Sequence, residues 1–286
     1  LIFSIRKRVL IKFLATYEWY IIISSQRWIS TWTFAPGVYL MIIPLAFGNS
    51  NLKENLIDGQ KNALETSGFS DNSVVLNAFG ISNWDSIWSL EGLVSGYLMN
   101  LFMPLLIAVC IIGLMNKIGA KSEEDGTFEF VASLPFTRTM IFSAHAIILI
   151  GLGMLIPFVW VNLIFIMTLF VDASLNYSSL VQSVIQSALG GVSFAAFGFA
   201  IGAYTGKSSL SWAAGIGLLA MEWLSGMLAQ TNEIFEFVKE WISSFGAYNN
   251  PYVNGLDFAD LSLVIFKILL FLIIGFWGYR DRSLNL

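Results

Sequence analysis

The sequence predicts an all-α protein of six membrane-spanning helices, and three observations carry that prediction. Of its 286 residues, 56% are hydrophobic and 12% charged, against about 45–50% and about 25% in a soluble domain. The mean hydropathy is +0.72. Apolar runs recur along the chain at about the 20 residues that cross a hydrocarbon core of about 30 Å.

The runs fall at 28–47, 92–115, 140–171, 181–204, 210–228 and 261–279. The first holds Pro36 and Pro44, which predict a kink, with neighbouring helices satisfying the freed backbone groups. The third is longer than a bilayer requires and predicts a tilted or projecting helix. In the fourth, Gly198, Gly202 and Gly206 recur every four residues on one face, a spacing that lets helix backbones approach closely. That face fits either a neighbouring span or a second subunit.

Orientation follows from Lys and Arg in the connecting segments. With the N-terminus in the cytoplasm, eleven of the fifteen fall inside: Arg6, Lys7, Arg8, Lys12, Arg27, Lys117, Lys121, Arg138, Lys207, Arg280 and Arg282. Both termini are therefore expected inside a cell (cytoplasmic) membrane, and residues 1–286 form one transmembrane domain. Residues 1–27 mix Arg6, Lys7, Arg8 and Lys12 with Ile5, Val9, Leu10, Phe13 and Leu14, the composition of a basic helix lying in the membrane interface. Glu18 interrupts the apolar stretch and no small-residue cleavage site follows, so the segment is not a cleaved signal peptide.

Two segments are expected outside. Residues 48–91 are polar with Phe69, Phe79, Trp84 and Trp88 interspersed, which predicts a small cap. Residues 229–259 include Ile234, Phe237, Val238, Trp241 and Ile242 on one helical face, suited to lying on the outer leaflet.

Chemistry of the chain's own finds little support. Cys110 is the only cysteine and His145 the only histidine, so neither a disulfide nor a multi-ligand metal site is available. His145 is expected to be packed. The stretch GAYTGKS at 202–208 imitates a phosphate-binding loop but lies one residue short of the required spacing. No nucleophile–base pair and no nucleic-acid patch stands out. The chain is expected to bind no cofactor and to catalyse no reaction.

Charge inside the apolar sequence is concentrated in KSEEDGTFEFVASLPFTR, 121–138, within the predicted cytoplasmic segment 116–139. Ser122 is placed to cap a helix whose first turn carries Glu123, Glu124 and Asp125, acids that suit the positive end of a helix dipole. Phe128, Val131 and Leu134 form a stripe with Phe130 beside it, Pro135 stops the helix, and Arg138 marks re-entry. A short helix with exposed acids and aromatic knobs, tethered by spans two and three, is the expectation.

The acidic-Gly-Thr segment running into Ser133, Leu134, Pro135 and Arg138, set between the second and third spans, resembles the permease subunit of type 2 ATP-binding-cassette exporters. The interfacial N-terminal helix, six spans, Gly-rich fourth span and arginine-containing end agree. The resemblance implies that this segment is a coupling helix docking on a cytoplasmic ATPase through Glu123, Glu124, Asp125, Thr127, Phe128, Glu129, Phe130, Leu134, Pro135 and Arg138. It also implies two ATPase copies carrying ATP and Mg, and a second permease. The cargo would be a hydrophobic or amphipathic peptide, toxin or drug.

Glu222 lies within the fifth span, where a charge costs about 2.5–3.5 kcal/mol on insertion scales. It is either a polar point on a substrate route, with Asn162, Gln182 and Gln186, or a structural partner of Lys267. An ion-coupled secondary transporter using Glu222, or a non-transporting sensor or immunity protein, are the alternatives to the exporter.

Overall fold

The computed structural model describes residues 17–49, 53–55, 57–59, 62, 88–134, 136–171 and 174–282. Most of the interfacial segment (1–16), most of the expected cap, including Phe69, Phe79 and Trp84, and Pro135 lie outside them. Among the described residues the fold is helical throughout, with no strand.

Helix α1 covers 17–24 and turns at Ser25 into α2, Gln26–Gly48. Helix α3 runs over Leu90–Glu124, and its 93–102 stretch is wound as a wider π-helix. A five-residue helix α4, Phe128–Ala132, leads to α5, Arg138–Thr168. Then follow α6, Tyr177–Thr205; α7, Ser208–Leu228; α8, Glu233–Trp241; α9, Pro251–Asn254; and α10, Phe258–Asp281.

Among the described residues five helices, α2, α3, α5, α6 and α10, are long and apolar enough to cross a membrane. The chain is a multi-pass helical membrane protein. Helix α7 has the length, at 21 residues, but four serines and Glu222 make it less apolar than its neighbours. It nevertheless packs inside the bundle, against α6 and α3.

Helix α6 is the central element, lying along α3, α5, α7 and α10, and glycines set its distances. A Cβ on Gly198 would stand 2.9 Å from the Ser211 carbonyl oxygen and 3.3 Å from Gly215 Cα. The face built by Gly198 and Gly202 is thus spent on α7 and α3 of the same chain. Gly206 differs from the sequence expectation: with φ +66° it is the left-handed cap that ends α6, its N–H donating to Gly202 O at 2.8 Å. Glycine dominates such caps because other residues meet a Cβ penalty there.

Helix α2 runs through Pro36 and Pro44 without interruption. Trp160 on α5 donates its indole N–H to Thr33 O at 2.9 Å, next to Trp32, whose carbonyl loses its usual donor to Pro36. Helix α5 has 31 residues, about 46 Å at 1.5 Å per residue, in keeping with a helix longer than the bilayer core.

Candidate functional site

The C-terminal ends of α3, α6 and α10 and the N-terminal ends of α5 and α7 meet at one end of the bundle, and the charged insert lies among them. Four charged side chains tie these ends together. Arg282, just after α10, donates through Nη2 to both carboxylate oxygens of Glu123 at 2.8 Å and through Nε to Ala203 O at 3.1 Å. Arg138, the first residue of α5, donates to the carbonyls of Tyr279 (3.4 Å), Arg280 (3.1 Å) and Arg282. It thereby satisfies the orphan carbonyls that every helix C-terminus leaves. Glu124 accepts the Ser208 N–H at 2.8 Å, supplying α7 with the cap that Lys207 cannot give.

Local structure departs from the sequence expectation in three ways. Ser122 does not begin a helix: it sits in the last turn of α3, and its hydroxyl donates back to Ile118 O (3.1 Å) and Gly119 O (2.7 Å). Helix α3 continues past Gly119 as far as Glu124, so the acids end one helix instead of starting the next. Glu123 is buried rather than solvated, because Arg282 neutralises it. Phe128 is no exposed knob; at 1% exposure it is among the most buried side chains of the molecule, packed near Phe142, His145 and Tyr279.

An exposed acidic ridge remains. After Glu124 the chain turns through Asp125, Gly126 and Thr127, with Gly126 at φ +72°, and Glu124, Asp125, Thr127 and Glu129 all face outward. Lys121 pairs with Asp125 at 3.1 Å. Thr127 precedes α4 and donates to Ser122 O at 3.2 Å. Val131 and Leu134 are half-buried; Pro135 and the Phe130 side chain lie outside the described residues.

Beside the ridge an open groove of about 570 Å³ separates α1 from the insert, with Tyr17, Tyr20, Lys117, Thr127 and Glu129 among its walls. Its floor is fixed from below. Tyr17 shares a 3.2 Å hydrogen bond with His145, and burial pushes the Tyr17 phenol well above its usual range. His145 is packed, as its position in an apolar run suggested.

The four residues expected on a substrate route divide into two sets. Glu222 (α7) and Lys267 (α10) form a buried ion pair, Nζ to Oε1 2.5 Å, and both also grip the chain that follows α8. Lys267 donates to Ile242 O (2.9 Å) and Ser244 Oγ (2.8 Å), while Glu222 Oε2 accepts the Ser244 N–H at 2.6 Å. Gln186 donates to Ala247 O at 2.9 Å, and Gln182 accepts the Leu256 N–H at 3.2 Å. Asn162 stands apart, bonded to Phe158 O and the Tyr177 hydroxyl.

The consequence is a re-entrant stretch the sequence did not announce. Residues 243, 244, 247 and 248 are all buried, and Tyr248 donates to Ser95 O at 2.7 Å. Buried irregular backbone is tolerated where its polar groups find partners, and Glu222, Lys267 and Gln186 provide them. The preceding helix α8 is as amphipathic as expected: Asn232 caps it at Ile234 N (2.8 Å), and Ile234, Phe237 and Trp241 stand exposed on it.

No protein-family model matches this chain, and no curated protein or solved structure does either.

Proposed function

We propose that this chain is the membrane-spanning permease subunit of an ATP-driven exporter, working with a separate cytoplasmic ATPase in two copies and a second permease. On this reading α7 is the sixth span, both termini lie in the cytoplasm, α1 belongs to an interfacial elbow, and α8 rests on the outer leaflet. The chain itself then needs no nucleotide; ATP and Mg belong to the partner.

One observation carries the proposal. The ridge of Glu124, Asp125 and Glu129 is solvent-facing, yet Glu124 itself and the neighbouring Glu123 and Phe128 are tied to α5, α6, α7 and α10. A partner that gripped the ridge would pull on all of those helices at once, which is what a coupling element has to do. The groove between α1 and the insert gives such a partner a concave seat. Interior surfaces rich in aliphatic and aromatic side chains suit a hydrophobic or amphipathic cargo, a peptide, toxin or drug.

The test is charge reversal on the ridge, away from the buried residues. Asp125→Lys with Glu129→Lys is expected to abolish co-purification with the ATPase while the protein still elutes as a folded membrane protein. Unchanged ATPase binding, or transport into vesicles that follows an ion gradient and ignores ATP, overturns the proposal.

A further inference from the structure

Beneath Phe128 lies a small cavity of about 20 Å³, and its walls include Asn116, Glu123, His145, Phe128 and Tyr279. Asn116 is 4% exposed and Tyr279 5%. Neither the amide nitrogen nor the amide oxygen of Asn116 has a hydrogen-bond partner in the protein, and the Tyr279 hydroxyl has none. Each such buried orphan is costly, because the group has given up its bond to water without gaining another. Three of them around one small void point to a ligand.

We propose that this cavity is the binding site of a single ordered water molecule bridging α3 and α10. The size is right, since about 10–15 Å³ of such space suffices for one water. The chemistry narrows the choice further. The occupant must accept from the Asn116 N–H groups, which a metal cation cannot do, and donate to the Asn116 amide oxygen, which a simple anion cannot do. The Glu123 carboxylate in the same wall also disfavours an anion. An apolar occupant would leave all three orphans unmet. Water meets them with three hydrogen bonds, the usual number for a buried water.

Other polar groups of the wall have partners in the protein, Ser211 Oγ among them, which donates to Gly198 O at 2.8 Å. Both Glu123 oxygens accept from Arg282, and His145 Nε2 is shared with Tyr17. The water therefore belongs to Asn116 and Tyr279, two turns before Glu123 and one turn before Arg282, and adds a second polar link between the helices that the ion pair joins. Phe128 covers it. This site does not depend on the transport proposal and stands or falls separately.

Radiolytic hydroxyl-radical footprinting of the full chain in nanodiscs, read by mass spectrometry, tests the site, because a trapped water generates radicals beside side chains that bulk water does not reach. Met115 lines the cavity and Met99 does not; they are 2% and 0% exposed, so Met99 serves as the internal standard. Met115 is expected to oxidise several-fold faster than Met99, and Tyr279→Phe, which keeps the ring and removes one partner, is expected to cut that excess at least twofold. Equal rates for the two methionines in the unsubstituted protein overturn the proposal. So does an excess that Tyr279→Phe leaves unchanged, because the radicals then come from elsewhere.

Discussion

Arg282 holds both carboxylate oxygens of Glu123 at 2.8 Å across 159 positions of sequence. The pair is almost fully enclosed, with 13% and 3% of the two side chains exposed. Removing one partner of a buried pair strands the other charge, at about 3–5 kcal/mol. Glu123→Ala and Arg282→Ala are each expected to lower the free energy of unfolding by that order. The double substitution should cost clearly less than their sum in a thermal-melt cycle. Additive losses would mean the two residues act independently.

Glu222 and Lys267 make a parallel case with a different readout. Lys267→Met leaves Glu222 facing the Ser244 N–H alone and removes the donor to Ile242 O. A loss of about 3–5 kcal/mol is expected, with the 242–248 backbone exchanging its amide hydrogens faster while α6 stays protected. Uniform exchange across the bundle would show that the lysine stabilises the whole fold and not the re-entrant stretch.

Two glycines separate close approach from mere flexibility. At Gly198 an added methyl meets backbone, Ser211 O at 2.9 Å, which no rotamer change relieves. Gly198→Ala should cost about 1–3 kcal/mol by overpacking. At Gly217, on α7, nothing lies within 4 Å, so alanine should stabilise by up to about 1 kcal/mol through helix propensity. Melting curves of the two variants in one detergent decide it, and equal shifts would refute the packing account.

Labelling tests both burial and sidedness. In a Cys110→Ala background, Asp125→Cys should react quickly with a maleimide and Phe128→Cys at least tenfold more slowly, since Asp125 is exposed and Phe128 buried. On intact cells an impermeant reagent should miss position 125. Fast labelling there would place the ridge outside and remove the coupling role.

The spans were legible because an apolar run of some 20 residues has few alternatives to a membrane helix. Helix α8 was legible because Ile234, Phe237, Val238, Trp241 and Ile242 repeat at the helical period. The ends were not. A glutamate at a helix terminus looks the same in sequence whether water or Arg282 answers it, so Glu123 was expected in solvent. Ser122 satisfied the rule for a helix start, yet the same hydroxyl bonds equally well back to Ile118 and Gly119 inside a helix. Gly206 kept the four-residue spacing by coincidence with its duty as a cap. The pairing of Glu222 with Lys267 was one of two readings open in the sequence, and the structure contains that ion pair. The re-entrant stretch carried no periodic signal at all, since its partners come from α3, α6, α7 and α10.

The clasp between Glu123 and Arg282 also sets an order of events in biosynthesis. A ribosome adding about 5–20 residues per second delivers Arg282 many seconds after Glu123 has reached its place. Until then the tip of α3 holds an unanswered negative charge, and only the arrival of α10 and Arg282 quenches it. A nascent chain arrested short of that point is thus marked by its own electrostatics as unfinished.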